Sequence, residues 1–283
     1  MTTLRPRIRH LGPYSCVLGF VLLGLATLGL SRLALIGWQW QRVDGTDSLL
    51  SMLLQGARSD LITLGMFAAP PVVLLPLFLA ARRMSWWLRL AGYWLTFSLI
   101  AILFLELATP PFLSEYDMRP NRLFVEYLAY PREVAAMLWG GYRGSLALIV
   151  AILGAAGWVI ARHFRRYYDT SPAWRAVVVM LLWPIVMLLL FAMIRSSFQH
   201  RPANLATFAF CDDAMVNSLV ANSAYTVLSA FYGLKNESHS EMYGAMPALE
   251  MIARVRTGMA VPMETFTSDE YPTLRKQIAT VRR

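Results

Sequence analysis

Five stretches of the chain stay apolar long enough to cross a hydrocarbon core, which takes about 20 residues at the rise of a helix. They cover about 14–36, 61–81, 86–108, 145–161 and 174–194. A barrel strand would be about 10 residues long and would alternate polar with apolar positions, so these stretches predict helices. The first follows Arg5, Arg7 and Arg9, as a signal peptide would. Its apolar part exceeds the usual length of about 7–15 residues, and no small-residue cleavage site follows it. It predicts an uncleaved span that runs on into Trp38-Gln39-Trp40-Gln41. Pro70, Pro71 and Pro76 interrupt the second stretch and Pro184 the fifth. Each ring removes a backbone donor, and a neighbouring helix can satisfy the freed carbonyl. These prolines predict packed kinks rather than moving hinges.

The polar positions between the runs suggest a direction. Arg5, Arg7, Arg9, Arg82, Arg83, Arg89, Arg162, Arg165, Arg166 and Arg175 fall in short segments on one side. Arg42, Arg58, Arg119, Arg122, Arg132 and Arg143 are spread over two longer loops on the other. Basic residues favour the cytoplasmic side, so the N-terminus is expected inside and, after five spans, the C-terminus outside. Trp38, Trp40, Trp86, Trp87, Trp139 and Trp174 lie near the predicted span ends, where aromatic belts form.

The loop over 109–143 carries its own pattern. Leu123, Phe124, Tyr127 and Leu128 recur at helical spacing, and Val134, Met137 and Leu138 do so again after Pro131. Two short interfacial helices are expected over about 120–140. In the tail, Asp212 or Asp213 can cap a helix whose apolar face would run through Met215, Val216, Leu219, Val220, Val227, Leu228 and Phe231. Ser238-His239-Ser240-Glu241 reads as a capping box for a second helix through Met246, Leu249, Ile252 and Val255. The expected organisation is a membrane domain over 1–195, a helical tail outside over 196–256, and a polar linker over 257–283.

Composition agrees with this pattern. Hydrophobic residues make up 57% of the 283 positions and charged ones 15%, against about 25% in soluble domains. The mean hydropathy is +0.47. A soluble α/β enzyme, a disordered chain and a collagen-like fibre are excluded, and two cysteines cannot make a disulfide scaffold. The fold class is therefore all-α membrane protein. The net charge of +9 would suit nucleic acid, but arginines at the ends of apolar runs assign it to topology, so no nucleic-acid partner is expected.

Catalytic patterns are missing from the sequence. His10, His163, His200 and His239 are scattered, and neither His-Glu-x-x-His nor Cys-x-x-Cys occurs. There is no Walker loop and no Gly-x-Ser-x-Gly. No catalytic residue, metal ligand or cofactor is expected in this chain. The informative charges lie near the outer membrane face: Arg32, Arg58, Asp60, Glu106, Arg119 and Arg122. Ionisable residues at such depths pair with one another or line a functional cavity. One reading is a headgroup site formed by Arg58, Asp60, Glu106, Arg119 and Arg122, in which Arg58, Arg119 and Arg122 face an anionic lipid phosphate. The other is a structural ion-pair network, such as Arg58 or Arg32 with Asp60 or Glu106.

Three segments carry a resemblance. They are Gly56-Ala57-Arg58-Ser59-Asp60-Leu61, the run Glu115-Tyr116-Asp117-Met118-Arg119-Pro120-Asn121-Arg122-Leu123-Phe124-Val125-Glu126-Tyr127-Leu128, and Arg201-Pro202-Ala203-Asn204 followed by Asn217-Ser218-Leu219-Val220-Ala221-Asn222-Ser223-Ala224-Tyr225. With five spans and an outside tail, the chain resembles the membrane portion of the lipoteichoic-acid-synthase-like family. These are bacterial phosphoglycerol transferases of the sulfatase and alkaline-phosphatase superfamily. The resemblance implies an inner-membrane module and a following catalytic domain, with a threonine nucleophile and a divalent metal, usually manganese, that uses phosphatidylglycerol. The chain is expected to end where that domain would begin, and Thr265, Thr267 and Thr273 are not assigned the nucleophile's role. Alone it is expected to be inactive. A non-catalytic scaffold that binds a partner through its tail is the alternative. A transporter is disfavoured by the near absence of mid-membrane charge and of an internal repeat.

Overall fold

The computed structural model describes residues 12–46, 48–168, 176–198, 200, 202–237, 244, 246–259, 265–268, 271 and 273–276. Helix α1 spans Tyr14–Trp38. A short α2, Trp40–Asp44, follows at its end. Helices α3, Leu49–Ala80, and α4, Met84–Tyr116, form an antiparallel pair. After them come α5, Arg122–Tyr127, and α6, Pro131–Gly141, where two short helices are expected. Helices α7, Arg143–Tyr168, and α8, Ala176–Arg195, complete the long elements. Among the described residues α1, α3, α4, α7 and α8 are long and apolar enough to cross a membrane, so the chain is an all-α membrane protein.

Two of these helices are much longer than the apolar runs suggest. Helix α3 has 32 residues and α4 has 33. At 1.5 Å per residue each reaches about 50 Å, whereas a hydrocarbon core is about 30 Å thick. The apolar run marks where a helix meets lipid. Its hydrogen-bond ladder continues through polar residues such as Gln55, Arg58 and Asp60. The overhanging turns of α3 and α4 stand beside the end of α1, here called the Trp38 end; the opposite end carries Tyr14.

Prolines lie inside continuous helices, and tryptophans on other helices meet two of the backbone groups they free. Pro71 cannot donate to the carbonyl of Phe67, four residues back; Trp94 Nε1 donates to that oxygen at 2.8 Å. Pro76 likewise frees the carbonyl of Val72, which accepts from Trp183 Nε1 at 2.9 Å. The helix runs on unbroken past these prolines, with a donor from α4 or α8 in place of the missing N–H. Glycines let α1 and α3 touch: a Cβ at Gly24 would collide with Leu64, and one at Gly56 with the Arg32 guanidinium.

Two apolar cores are stacked along the bundle. The larger, with Phe20, Leu64, Leu95, Leu99 and Phe164, lies among the spans. The smaller, at the Trp38 end, joins Leu35, Met52, Ile62 and Leu113 to Phe208, Met215, Val216, Leu219, Val220 and Tyr225. The segment after α8 therefore belongs to the first compact unit, Met1–Leu234. It contains a 3-10 turn, Leu205–Phe208, then α9, Ala214–Ser218, and α10, Ser223–Glu237. Asp213 caps α9, accepting from the backbone N–H groups of Met215 and Val216 at 2.9 and 3.2 Å.

The single apolar face expected from Met215 to Phe231 is corrected. The helix stops at Ser218, the chain turns, and Asn222 restarts it by accepting from the Tyr225 N–H at 2.9 Å. Met215, Val216, Leu219 and Val220 are buried, while Leu228 and Phe231 are exposed.

The second unit, Lys235–Arg283, contains α11, Ala248–Met259, and two short antiparallel strands, β1, Thr265–Phe266, and β2, Arg275–Lys276. The expectation of a plain linker from 257 is corrected, because arginines fasten this pairing to α11. Arg256 lies 5.3 Å from the Phe266 ring centroid and donates to the Ser268 carbonyl at 2.9 Å. Arg275 donates to the Met259 carbonyl at 2.7 Å. The capping box expected at Ser238–Glu241 lies outside the described residues, as do Arg5, Arg7, Arg9, His10, Asp169, Trp174 and Arg175.

Candidate functional site: a buried polar layer

Between the two apolar cores lies a layer of polar side chains built on adjacent residues, or residues three apart, of facing elements. Ser31 and Arg32 come from α1, Ser59, Asp60 and Thr63 from α3, and Glu106 and Thr109 from α4. Asn222 and Ser223 come from the start of α10. Arg119 joins from the turn after α4, where Asp117 has a left-handed φ of 55° and sends the chain back along the helix.

Each carboxylate is held by an arginine. Arg32 Nη1 and Nη2 donate to Asp60 Oδ2 and Oδ1 at 2.8 and 2.6 Å, a bidentate pair with both side chains at most 3% exposed. Arg32 Nη2 also donates to the Gly56 carbonyl at 3.1 Å. Arg119 Nη1 donates to both oxygens of Glu106 at 2.9 Å, and this pair is buried as deeply. Two cations and two anions thus neutralise one another within the layer.

The start of α10 is plugged into both pairs. Asn222 Nδ2 donates to Asp60 Oδ1 at 3.1 Å, while its Oδ1 accepts from Thr63 Oγ1 at 3.1 Å. The Ser223 N–H donates to Glu106 Oε1 at 2.9 Å. Glu106 therefore sits at a helix N-terminus, where the unpaired N–H groups favour an anion. Ser31 Oγ donates to its other oxygen. The Thr109 hydroxyl spends its proton on the Leu105 carbonyl, so Ser223 Oγ donates to Thr109 Oγ1 at 2.6 Å and accepts from Arg119. Thr226 Oγ1 donates to the Pro120 carbonyl at 2.6 Å.

Surface contacts repeat the clasp. Arg42 of α2 donates to Asp117 at 2.5 Å and to Asp213 at 2.9 and 2.8 Å, joining the end of α4 to the cap of α9. That hydrogen-bonded guanidinium holds the Asp213 carboxyl below the usual carboxylate range, and the carboxylates raise Arg42 in turn. Burial raises the Tyr225 phenol, whose hydroxyl donates to the Ala203 carbonyl at 2.9 Å.

The residues expected around a phosphate go to three places. Arg119 faces Glu106 and is closed off by Ser223 and the Leu219 carbonyl. Arg58 closes the end of α8, donating to the Ser196 carbonyl and to Gln55, with its guanidinium 6.0 Å from the Phe208 ring centroid. Arg122 is exposed and pairs with Glu126 at 2.7 Å, one turn along α5. Asp60 and Glu106 come together in the layer, with Arg32 and Arg119 as their partners. The sequence reading missed Ser31, Ser59, Thr63, Thr109, Asn222 and Ser223 as site residues. The one available signal was polar Asn222-Ser223 inside the otherwise apolar run from Leu219 to Tyr225.

No family model matches the sequence, and no solved structure matches the fold. The site therefore has to be read from its own chemistry. Its hydrogen-bonding groups are turned on one another, except Arg32 Nε and Arg119 Nε, which are buried without a partner among the described residues. Among the described residues no His, Cys, Asp or Glu cluster could hold a metal ion. Cys16 and Cys211 are both free thiols. The arrangement fastens the segment after α8 to the spans at the depth of the polar layer.

Proposed function

We propose that this chain is the membrane module of a phosphoglycerol-transferase-like enzyme. In this reading it anchors a metal-dependent catalytic domain and presents an outer-leaflet, phosphatidylglycerol-type anionic lipid to it. It sits in a bacterial inner membrane with its N-terminus inside and its C-terminus outside. The divalent metal, manganese in the family it resembles, belongs to the catalytic domain. The observation that carries the reading is the docking of Asn222 and Ser223 into the two buried ion pairs. A simple tether would need only the spans. Here the first turn of α10 is fixed to them through the side chains of Ser59, Asp60, Thr63, Glu106 and Thr109, which gives an attached domain a rigid root. A polar passage of the kind a transporter needs finds no support, because the layer's charges are paired and buried.

The test is capture from native membranes with an antibody to the tail, after solubilisation in mild detergent. The captured material is expected to release glycerol phosphate from fluorescent phosphatidylglycerol in the presence of manganese. The purified 283-residue chain is expected to release none. Captured material with no such activity would leave the scaffold reading in its place.

A further inference from the structure

At the Tyr14 end, opposite the polar layer, α7 carries a feature that the proposed function does not use. Trp158, Ala161, Arg162, Arg165 and Arg166 line a cleft of about 300 Å³. Helical spacing puts Trp158, Arg162, Arg165 and Arg166 on one face over two turns. All three arginines are exposed, and no ion pair joins any of them to a described residue. Like charges three and four residues apart on a helix repel one another, so the cluster calls for an anion. The acids described in the first unit, from Asp44 to Asp213, lie in the polar layer or on the Trp38 side of it, so among the described residues this end has none; Asp169 is outside the described residues.

The same face continues into the bilayer as an uncovered apolar stripe. At helical spacing from Trp158, Ala147, Leu148, Ala151, Gly154 and Ala155 share its face and are all exposed. From Leu148 to Trp158 the helix rises about 15 Å, comparable to one leaflet of a hydrocarbon core about 30 Å thick. The Arg162 guanidinium lies 5.6 Å from the Trp158 ring centroid, and Arg89 on α4 lies 6.0 Å from that of Trp86. Such pairs place the arginines at headgroup level, where tryptophan rings settle. Opposite the cluster, His163 and Tyr167 pack against Gly19 of α1, so the arginines stand on a face held in place by the bundle.

We propose that Arg162, Arg165 and Arg166 with Trp158 form a binding site for the phosphate of an anionic phospholipid, whose acyl chain lies along the apolar stripe of α7. Free phosphate has the same headgroup chemistry but cannot use the stripe, which is why the lipid is the occupant.

The test is native mass spectrometry of the delipidated protein in detergent, titrated with phosphatidylglycerol and with phosphatidylcholine. Phosphatidylglycerol is expected to bind and phosphatidylcholine not to. The triple variant R162Q/R165Q/R166Q is expected to bind roughly a hundredfold more weakly, since each arginine near an anionic surface contributes about a fivefold factor. The control R82Q/R83Q, which removes charge from the same end but outside the cleft, should lose markedly less affinity than the triple variant. If the triple variant does not fold, the single variant R165Q must show a partial loss, roughly fivefold. Equal binding by the control and the arginine-cluster variants would overturn the proposal and leave the charges a role in topology only. Displacement of the lipid by millimolar inorganic phosphate would overturn it in favour of a free-anion site.

Discussion

Removing the Glu106 carboxylate would leave the Arg119 guanidinium buried against Ser223 and the Leu219 carbonyl with no counter-charge. Breaking a buried pair from one side costs about 3–5 kcal/mol, whereas replacing both members by apolar residues of similar volume is often near neutral. Glu106→Ala is therefore expected to lower stability by about that amount, and the double variant E106M/R119M to recover most of it. Thermal and denaturant unfolding in detergent micelles check this; a cost for Glu106→Ala below about 1 kcal/mol would show that the pair does not hold α10 in place. At this scale the sequence showed which charges were too deep to be idle. Arg32 was readable as a partner for Asp60, 28 residues away along the chain. Arg119 was assigned to phosphate because nothing local reveals that the left-handed Asp117 turns the chain back onto Glu106. Asn222 and Ser223 stand in the sequence only as part of a motif and not as site residues, because polar residues in a short apolar run look like ordinary helix surface.

The long helices were readable because apolarity over 20 residues is a local property, decided by the need to satisfy every backbone group in lipid. Their ends were not, since hydropathy reports the solvent and not the hydrogen-bond ladder. Helix α3 begins at Leu49, well before the apolar run that starts near 61. The prolines of α3 predict freed carbonyls, and the structure supplies Trp94 and Trp183 as replacement donors for two of them. Trp183→Phe keeps the ring's packing and removes the hydrogen bond to Val72, at an expected cost of about 1–3 kcal/mol for a carbonyl left without a donor. Pro76→Ala returns an N–H to that carbonyl, so Trp183→Phe should cost at least about 1 kcal/mol less in that background. A double-mutant cycle of unfolding free energies measures the coupling. Strictly additive costs would mean that Trp183 does not serve the carbonyl freed by Pro76.

For the molecule as a whole, two apolar cores with a neutralised polar layer between them make the spans and the segment through Leu234 one unit. The direction in which this unit crosses a membrane follows from the proposed topology and has a simple measurement. Lys235 and Lys276, both in the tail, are the only lysines in the sequence. A membrane-impermeant amine reagent applied to intact spheroplasts is expected to modify both, as read by peptide mass spectrometry. Modification only after lysis would place the tail inside and reverse the topology.

The sequence by itself determined that this protein is helical, that five of its helices suit a membrane, and roughly where they lie. Those properties depend on runs of neighbouring residues and on the bilayer as a solvent. Only the tertiary structure decided how the deep charges are shared, where the tail helix breaks, and which tryptophans serve the proline-freed carbonyls. These are matters of distance between residues far apart in the chain: Asp60 and Asn222 are separated by 162 positions, and Glu106 and Ser223 by 117. A hydrogen bond about 3 Å long is specified by packing to within a fraction of an ångström, and a one-dimensional pattern of polar and apolar positions does not contain that information.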